Sequence, residues 1–300
     1  MQRRKLTHAE RRETKLFFLF LAIPLAGLIL FYYLPAIMTF FQAFTNASGY
    51  VGVELEWNGI QNFVNVVNDP IVWESLGRTM VYAVTSGPIS LLVSLLVAIL
   101  IATDVRGAKK FRFVYLLVFV LPGFALAALY KNLFDENYGL ISSLLRDMGI
   151  RFGYNYSPTA MATVILTSFF TFGLKMLLFY VALLGVPVSY YEAAELEGAS
   201  KWTRFVKITI PAISPVLFMN IMLTIIDAFK AFDIMFLFGG ENGDPAQSLM
   251  VFSLYLRKIA ITGNNYGKGS AMAILYFFFL LILVGINMLI SKKYVNKDWD

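Results

Sequence analysis

The chain contains no cysteine and a single histidine, His8. The first absence removes disulfides, thiolate metal sites and cysteine nucleophiles. With only His8, in a charged tail, a histidine metal site or a Ser–His triad has no basis either. Charge is scarce: Asp, Glu, Lys and Arg make up 15% of 300 residues, against about 25% in ordinary soluble domains. The 19 acidic residues are outnumbered by 28 phenylalanines. With 58% hydrophobic residues and a mean hydropathy of +0.68, the composition excludes a soluble enzyme, a disordered chain and a fibrous repeat. It points to lipid as the solvent.

Four stretches carry no charged residue: 16–53, 79–103, 113–130 and 269–291. A helix needs about 20 apolar residues to cross the roughly 30 Å hydrocarbon layer. Spans are therefore expected at 16–41, 79–103, 113–134 and 269–291. Two more apolar stretches hold isolated charges: 159–186 contains Lys175, and 212–238 contains Asp227, Lys230 and Asp233. Alternating strand patterning is absent, so a barrel is not supported. The expected fold is an all-α integral membrane protein, a bundle of six transmembrane helices over 16–291 with its core at 79–291. Tails at 1–15 and 292–300 flank it. The first apolar run is too long for a signal peptide, and no small-x-small cleavage site follows it.

The net charge of +6 has a location. Sixteen of the 25 basic residues lie in the two tails, in 104–112 and in 187–211, seven lie in the opposite loops, and Lys175 and Lys230 lie within spans. The positive-inside rule places both termini in the cytoplasm. The basic excess is thus a topology signal and gives no reason to expect nucleic acid. The outer loops, at 42–78, 135–158 and 239–268, are longer and richer in Gly, Asn and Asp.

The cytoplasmic loop 187–211 is the most informative segment. Ser189 followed by Glu192 fits a capping box, so a short helix should begin just after Ser189. Gly198 suits that helix's end, because glycine accepts a left-handed backbone. Ser200 can cap a second short helix carrying Trp202, Phe205 and Ile208, which Pro211 would stop. The product is helix–glycine–helix at the inner surface, with small Ala193 and Ala194 permitting close approach by another protein. An amphipathic anchor lying on the bilayer fits the same pattern.

The loop also resembles the EAA loop of ABC importer permeases. Glu192-Ala193-Ala194 is followed by three residues and Gly198, and nine residues later by Ile208-Thr209-Ile210-Pro211, with Ile210 in place of the family's leucine. In that family the loop forms a coupling helix seated in a cleft of the ATP-hydrolysing subunit. The resemblance assigns ATPase coupling to Glu192, Ala193, Ala194 and Gly198. Further segments resemble the carbohydrate branch, specifically the first permease of maltose-type systems. These are Asn62-Phe63 through Asp69-Pro70, Tyr138-Gly139-Leu140-Ile141, and Ala228-Phe229-Lys230-Ala231-Phe232-Asp233 followed by Gly239-Gly240. Glu241 departs from that branch, which commonly has a third glycine and then proline. The resemblance covers roughly residues 16–291. It implies a bacterial or archaeal cell-membrane permease with an ABC ATPase dimer, a second permease subunit, an extracytoplasmic solute-binding protein and a carbohydrate substrate. ATP and Mg²⁺ would be used by the ATPase; this chain would bind no cofactor or metal and catalyse nothing.

Charged groups inside spans cost about 2.5–3.5 kcal/mol on insertion scales and usually face protein or water. Asp227, Lys230 and Asp233, three residues apart, would fan over one helix surface, with Lys230 in reach of either carboxylate. With Phe229, Phe232 and Lys175 they form either a packing cluster or a polar wall of a translocation path, where hydroxyl partners and aromatic rings would suit a sugar. Gly263 to Ser270 is a near-miss of a phosphate loop: three residues separate Gly263 from Gly267, and Gly269 follows Lys268, so the required Ser or Thr is displaced. The expected function is a permease subunit forming half of a sugar pathway. Alternatives are a permease for another solute, such as glycerol phosphate, and an autonomous secondary transporter, which usually shows two related halves. A membrane enzyme would need an acid–base or metal constellation that is missing here.

Overall fold

The computed structural model describes residues 8–50, 52, 54–102, 123–170 and 173–295. Helix α1 (His8–Leu28) continues through a π-helical turn, Ile29–Tyr33, into α2 (Leu34–Gln42). Then come α3 (Gln61–Val67), α4 (Pro70–Ala102), α5 (Gly123–Leu133) and α6 (Leu140–Asp147). Next are α7 (Ser157–Thr167) with a 3₁₀ turn at Ser168–Phe170, and α8 (Gly173–Leu184). The 187–211 loop supplies α9 (Val188–Leu196) and α10 (Lys201–Arg204), the latter running through a π turn at Phe205–Thr209. The chain closes with α11 (Ser214–Phe229), α12 (Phe232–Gly239), α13 (Phe252–Arg257) and α14 (Tyr266–Tyr294). No strand occurs among the described residues beyond one isolated bridge, Thr45 to Trp57.

Four described segments are long and apolar enough to cross a membrane: Glu13–Gln42, Pro70–Ala102, Ser157–Leu184 and Tyr266–Tyr294. A fifth is the bent pair Lys201–Ala212 and Ser214–Gly239, folded by 71°. Most of the expected span at 113–134 lies outside the described residues, which hold only its end, α5. Three boundaries differ from expectation. Helix α4 starts at Pro70 rather than near 79, because Glu74 and Arg78 pair at 3.1 Å one turn apart and extend the helix beyond its charge-free part. Within the stretch 159–186, which is one candidate span, the winding tightens to a 3₁₀ turn at Ser168–Phe170. The stretch 212–238 breaks between α11 and α12, where Ala231 (φ −70°, ψ 58°) forms an inverse γ-turn, with Phe232 N–H donating to Lys230 C=O at 2.7 Å.

Two of the three described π turns, Ile29–Tyr33 and Phe205–Thr209, precede an X-Pro step, at Pro35 and Pro211; the third is Lys258–Thr262. Leu34 N–H bonds Ile29 C=O, and Ile210 N–H bonds Phe205 C=O. Proline lacks an N–H, and its ring presses on the carbonyl four residues back. Wider π winding relieves that pressure, so each helix passes its proline instead of stopping.

The described fold divides into two compact units. The first comprises Met1–Asn68 and Ile259–Ile274. Its centre is buried Asn62, whose amide donates to the Ala43 and Thr45 carbonyls at 2.9 and 2.7 Å. Gly267 packs so closely there that a Cβ would lie 2.5 Å from the Thr45 carbonyl oxygen. A Cβ on Gly269 would lie 2.5 Å from that of Ala260. Gly267 and Gly269 of the phosphate-loop near-miss are therefore packing glycines.

The second unit comprises Asp69–Lys258 and Leu275–Asp300. Its spine is the α4–α8 pair. The buried face of α4 carries Ser75, Thr79, Tyr82, Ser86, Ser90, Ser94 and Ala98 at three- to four-residue spacing. Small residues let helix backbones approach closely in lipid, where apolar burial against tails gains little. The hydroxyls of this face bond to carbonyls of α4 itself, as in Ser86 to Tyr82 and Ser94 to Ser90, both 2.6 Å. At one end an apolar core joins Ala98 and Ile101 of α4, Met176 and Phe179 of α8, and Val186 and Ile213. Tyr191, Ile208 and Ile210 pack on it, which roots the 187–211 loop in the bundle.

Candidate functional site

The 187–211 loop folds as a corner. Helix α9 begins at Val188 with Pro187 in the N-cap position, and no side chain caps it. The capping box expected of Ser189 and Glu192 does not form, because Ser189 already lies inside the helix. Proline serves there since its missing N–H has no helical partner to lose. Helix α9 ends as expected at Gly198, whose φ is +75°. Gly198 N–H bonds Glu195 C=O at 3.0 Å, and Ala199 N–H bonds Ala194 C=O at 2.9 Å. This is a Schellman closure, which needs the left-handed residue that glycine supplies. Ser200 Oγ then accepts from Thr203 N–H at 3.1 Å and caps α10, as expected. Pro211 does not stop this helix; the π turn carries it past the proline to the bend at Ile213.

Two side-chain links hold the arms of the corner together. Arg204 Nη1 lies 2.8 Å from Glu195 Oε2, and the Tyr191 and Thr209 hydroxyls are 2.9 Å apart. The far surface of the corner has no cover among the described residues: Leu196 is 91% and Trp202 72% exposed, and Glu192 and Ala193 are exposed beside half-buried Ala194. A rigid apolar knob with an acidic residue on it thus projects from the bundle. Exposed apolar surface of this kind marks a protein or membrane contact.

The charges within the apolar stretches are arranged differently from the single helix surface expected. The break at Lys230–Ala231 separates them. Lys230 caps the C-terminus of α11 and Asp233 lies in the first turn of α12, each at the helix end whose dipole suits its charge. Among the described residues Asp227 pairs with Lys175 of α8, at 3.2 Å, and not with Lys230. Lys175 and Asp227 line a polar cavity of about 60 Å³ with Tyr82, Ser86, Ser90, Ser168 and Thr224. Phe229 does not line it; the ring is buried against Tyr276 and Phe279, each 5.8 Å away. Phe232 stacks on Phe236 at 5.3 Å, and the Arg257 guanidinium lies over both rings. The hydroxyl lining was missed from sequence, although Ser86, Ser90 and Ser94 at four-residue spacing within an apolar run signal it.

Loop segments away from the corner are tied by tyrosines. The Tyr255 hydroxyl donates to Asp69 Oδ2 at 2.7 Å, and Phe252 N–H donates to Thr79 Oγ1 at 2.9 Å, fixing α13 to the start of α4. Tyr154 donates to Asp135 Oδ2 at 2.9 Å. Burial first, and the bond to a carboxylate second, push both phenols above the ordinary tyrosine range. Among the described residues no cluster of three His, Cys, Asp or Glu could hold a metal.

The family model described as the binding-protein-dependent transport system inner membrane component matches residues 73–296. The chain belongs to that family. This permease is an inner-membrane, multi-pass component of an ABC importer, a transport protein rather than an enzyme. It is 30% identical to the probable ABC transporter permease protein YesP of Bacillus subtilis over 96% of this chain and 93% of that one. It is 28% identical to the trehalose/maltose transport system permease protein MalF of Thermococcus litoralis, over 94% and 95%. A solved bacterial alginate ABC transporter, in complex with an alginate pentasaccharide-bound periplasmic protein, contains a chain that superposes with a TM-score of 0.80 at 17% identity, covering 95% and 96%. That likeness places the permease in the same fold.

Proposed function

We propose that this permease forms half of the translocation pathway for a sugar or oligosaccharide, completed by a second permease and driven by an ABC ATPase dimer that grips the α9–Gly198–α10 corner. An extracytoplasmic solute-binding protein delivers the substrate to the outer loops. Both termini and the corner lie in the cytoplasm, and six spans cross the membrane. The observation that carries this reading is the corner: a braced knob, rooted in the α4–α8 core, with its apolar surface uncovered. Relatives named for trehalose/maltose, for diacetylchitobiose and for sulfoquinovosyl glycerol support a carbohydrate. Glu192, Ala193, Ala194 and Gly198 meet the ATPase, and Lys175 and Asp227 belong to the path. ATP with Mg²⁺ acts in the partner. When the ATPase dimer closes, paired corners are drawn together and the bundles rock from inward-open to outward-open, a rigid-body switch between two states.

Replacing Gly198 by Val forces a β-branched residue into a left-handed backbone, and Glu192→Lys reverses the knob's charge. Both variants should insert normally while substrate-stimulated ATPase activity and uptake fall by at least about tenfold, a loss of roughly 1.4 kcal/mol in coupling. Unchanged transport in both would remove the coupling role.

A further inference from the structure

The geometry of the Lys175–Asp227 pair points to a charge filter: we propose that it admits uncharged polyhydroxylated solutes and turns back anionic ones. The inference rests on the reading that this face of α11 lines the path. The Asp227 side chain is 65% exposed, whereas that of Lys175 is 10% exposed. An open carboxylate in a membrane span is tolerated where it faces water or protein rather than lipid. The cation stands behind it, 3.2 Å away. The other cavity groups, Tyr82, Ser86, Ser90, Ser168 and Thr224, are neutral hydroxyls. Lys230 and Asp233, exposed on either side of the helix break, add one charge of each sign. The polar surface therefore has no net charge and turns its negative end outward.

A neutral sugar meets hydroxyl and carboxylate oxygens with which its own hydroxyls exchange hydrogen bonds. A carboxylated or sulfonated sugar meets a carboxylate first, while the compensating ammonium stands 3.2 Å behind it and out of direct contact. Away from bulk water such repulsion is several-fold stronger than in it. Removing the charge of Asp227 would invert the preference, because Lys175 would then be the nearest uncompensated charge.

The chain's lack of cysteine makes a direct test available. Leu223, half-buried and one turn before Asp227 on α11, is replaced by Cys in the assembled transporter in membrane vesicles. Its rates of modification by a negatively and a positively charged methanethiosulfonate of similar size are then compared, with the label located on this chain by mass. Asp227→Asn should raise the anion-to-cation rate ratio on the order of tenfold, and Lys175→Met should lower it by a similar factor. The double variant should return the ratio close to its starting value, which also reports that the bundle is intact. Modification with a ratio that stays within about twofold in both single variants, or a double variant that fails to restore it, overturns the filter and leaves the path reading standing. If neither reagent modifies Leu223→Cys in any of the four backgrounds, the path reading itself falls, and the filter with it.

Discussion

At the residue scale, two features are legible because backbone chemistry leaves few choices. Gly198 is expected to end a helix, and it adopts φ +75° to do so. Ser200 is expected to cap the next helix, and it does. Side-chain partners are less legible. Tyr255 carries no pattern in the sequence, yet its hydroxyl donates to Asp69, 186 residues away along the chain. Tertiary folding alone sets that pairing. It has a pH signature. The folded-state phenol titrates above its unfolded value of about 10. Stability from the neutral hydroxyl is therefore fully present below about pH 10 and is lost as pH rises through the folded value. Tyr255→Phe should lower the melting temperature of the detergent-solubilised permease at pH 8 by the equivalent of about 1 kcal/mol. The gap between the two proteins should narrow as pH rises above about 10, where the unfolded chain's phenol ionises while folding must keep Tyr255 protonated beside Asp69. A gap that is constant or widens across that range would refute the assignment.

At the element scale, apolar length predicts the long helices well, since a bilayer demands it. Interruptions are hidden. The gap between α11 and α12 lies within a long apolar run, and it is there that the single helix face expected for Asp227, Lys230 and Asp233 fails. Helix continuation past Pro211 is also hard to foresee, because a π turn can absorb a proline that sequence rules treat as a stop. The serine stripe on α4 is present in plain sequence but masked by the hydropathy of its neighbours. It makes a sharp expectation. Ser90, 4% exposed, sits where α4 meets the polar cavity and its neighbouring helix. Ser90→Leu should overpack this seam and cost about 1–3 kcal/mol, read as a fall in thermal stability in detergent, whereas Ser90→Ala should be much milder. Equal effects of the two substitutions would show that close approach of the helices is not what the stripe provides.

For the whole molecule, composition and charge distribution settle the solvent, and the motif spacing at 192–211 points to the family; neither settles sidedness by contact. The proposed sidedness rests on charge asymmetry, sixteen basic residues in the tails, 104–112 and 187–211 against seven in the other loops. It can be measured on a chain that offers no native thiol. Leu196, 91% exposed on the corner, and Tyr138, 69% exposed in the loop proposed to face outward, are each replaced by Cys in the full transporter. In intact cells an impermeant maleimide should label position 138 and leave 196 untouched; in inverted vesicles the pattern should reverse. Reconstituting the ATPase should then suppress labelling at 196 about tenfold and leave 138 unaffected, because a docked subunit excludes solvent from the residues at the centre of its contact. Labelling of 196 from outside would invert the topology and remove every partner assignment made from it. Inside labelling that the ATPase does not suppress would be narrower in effect: the spans would stand, and the corner would be an anchor on the lipid surface instead of a seat for the motor.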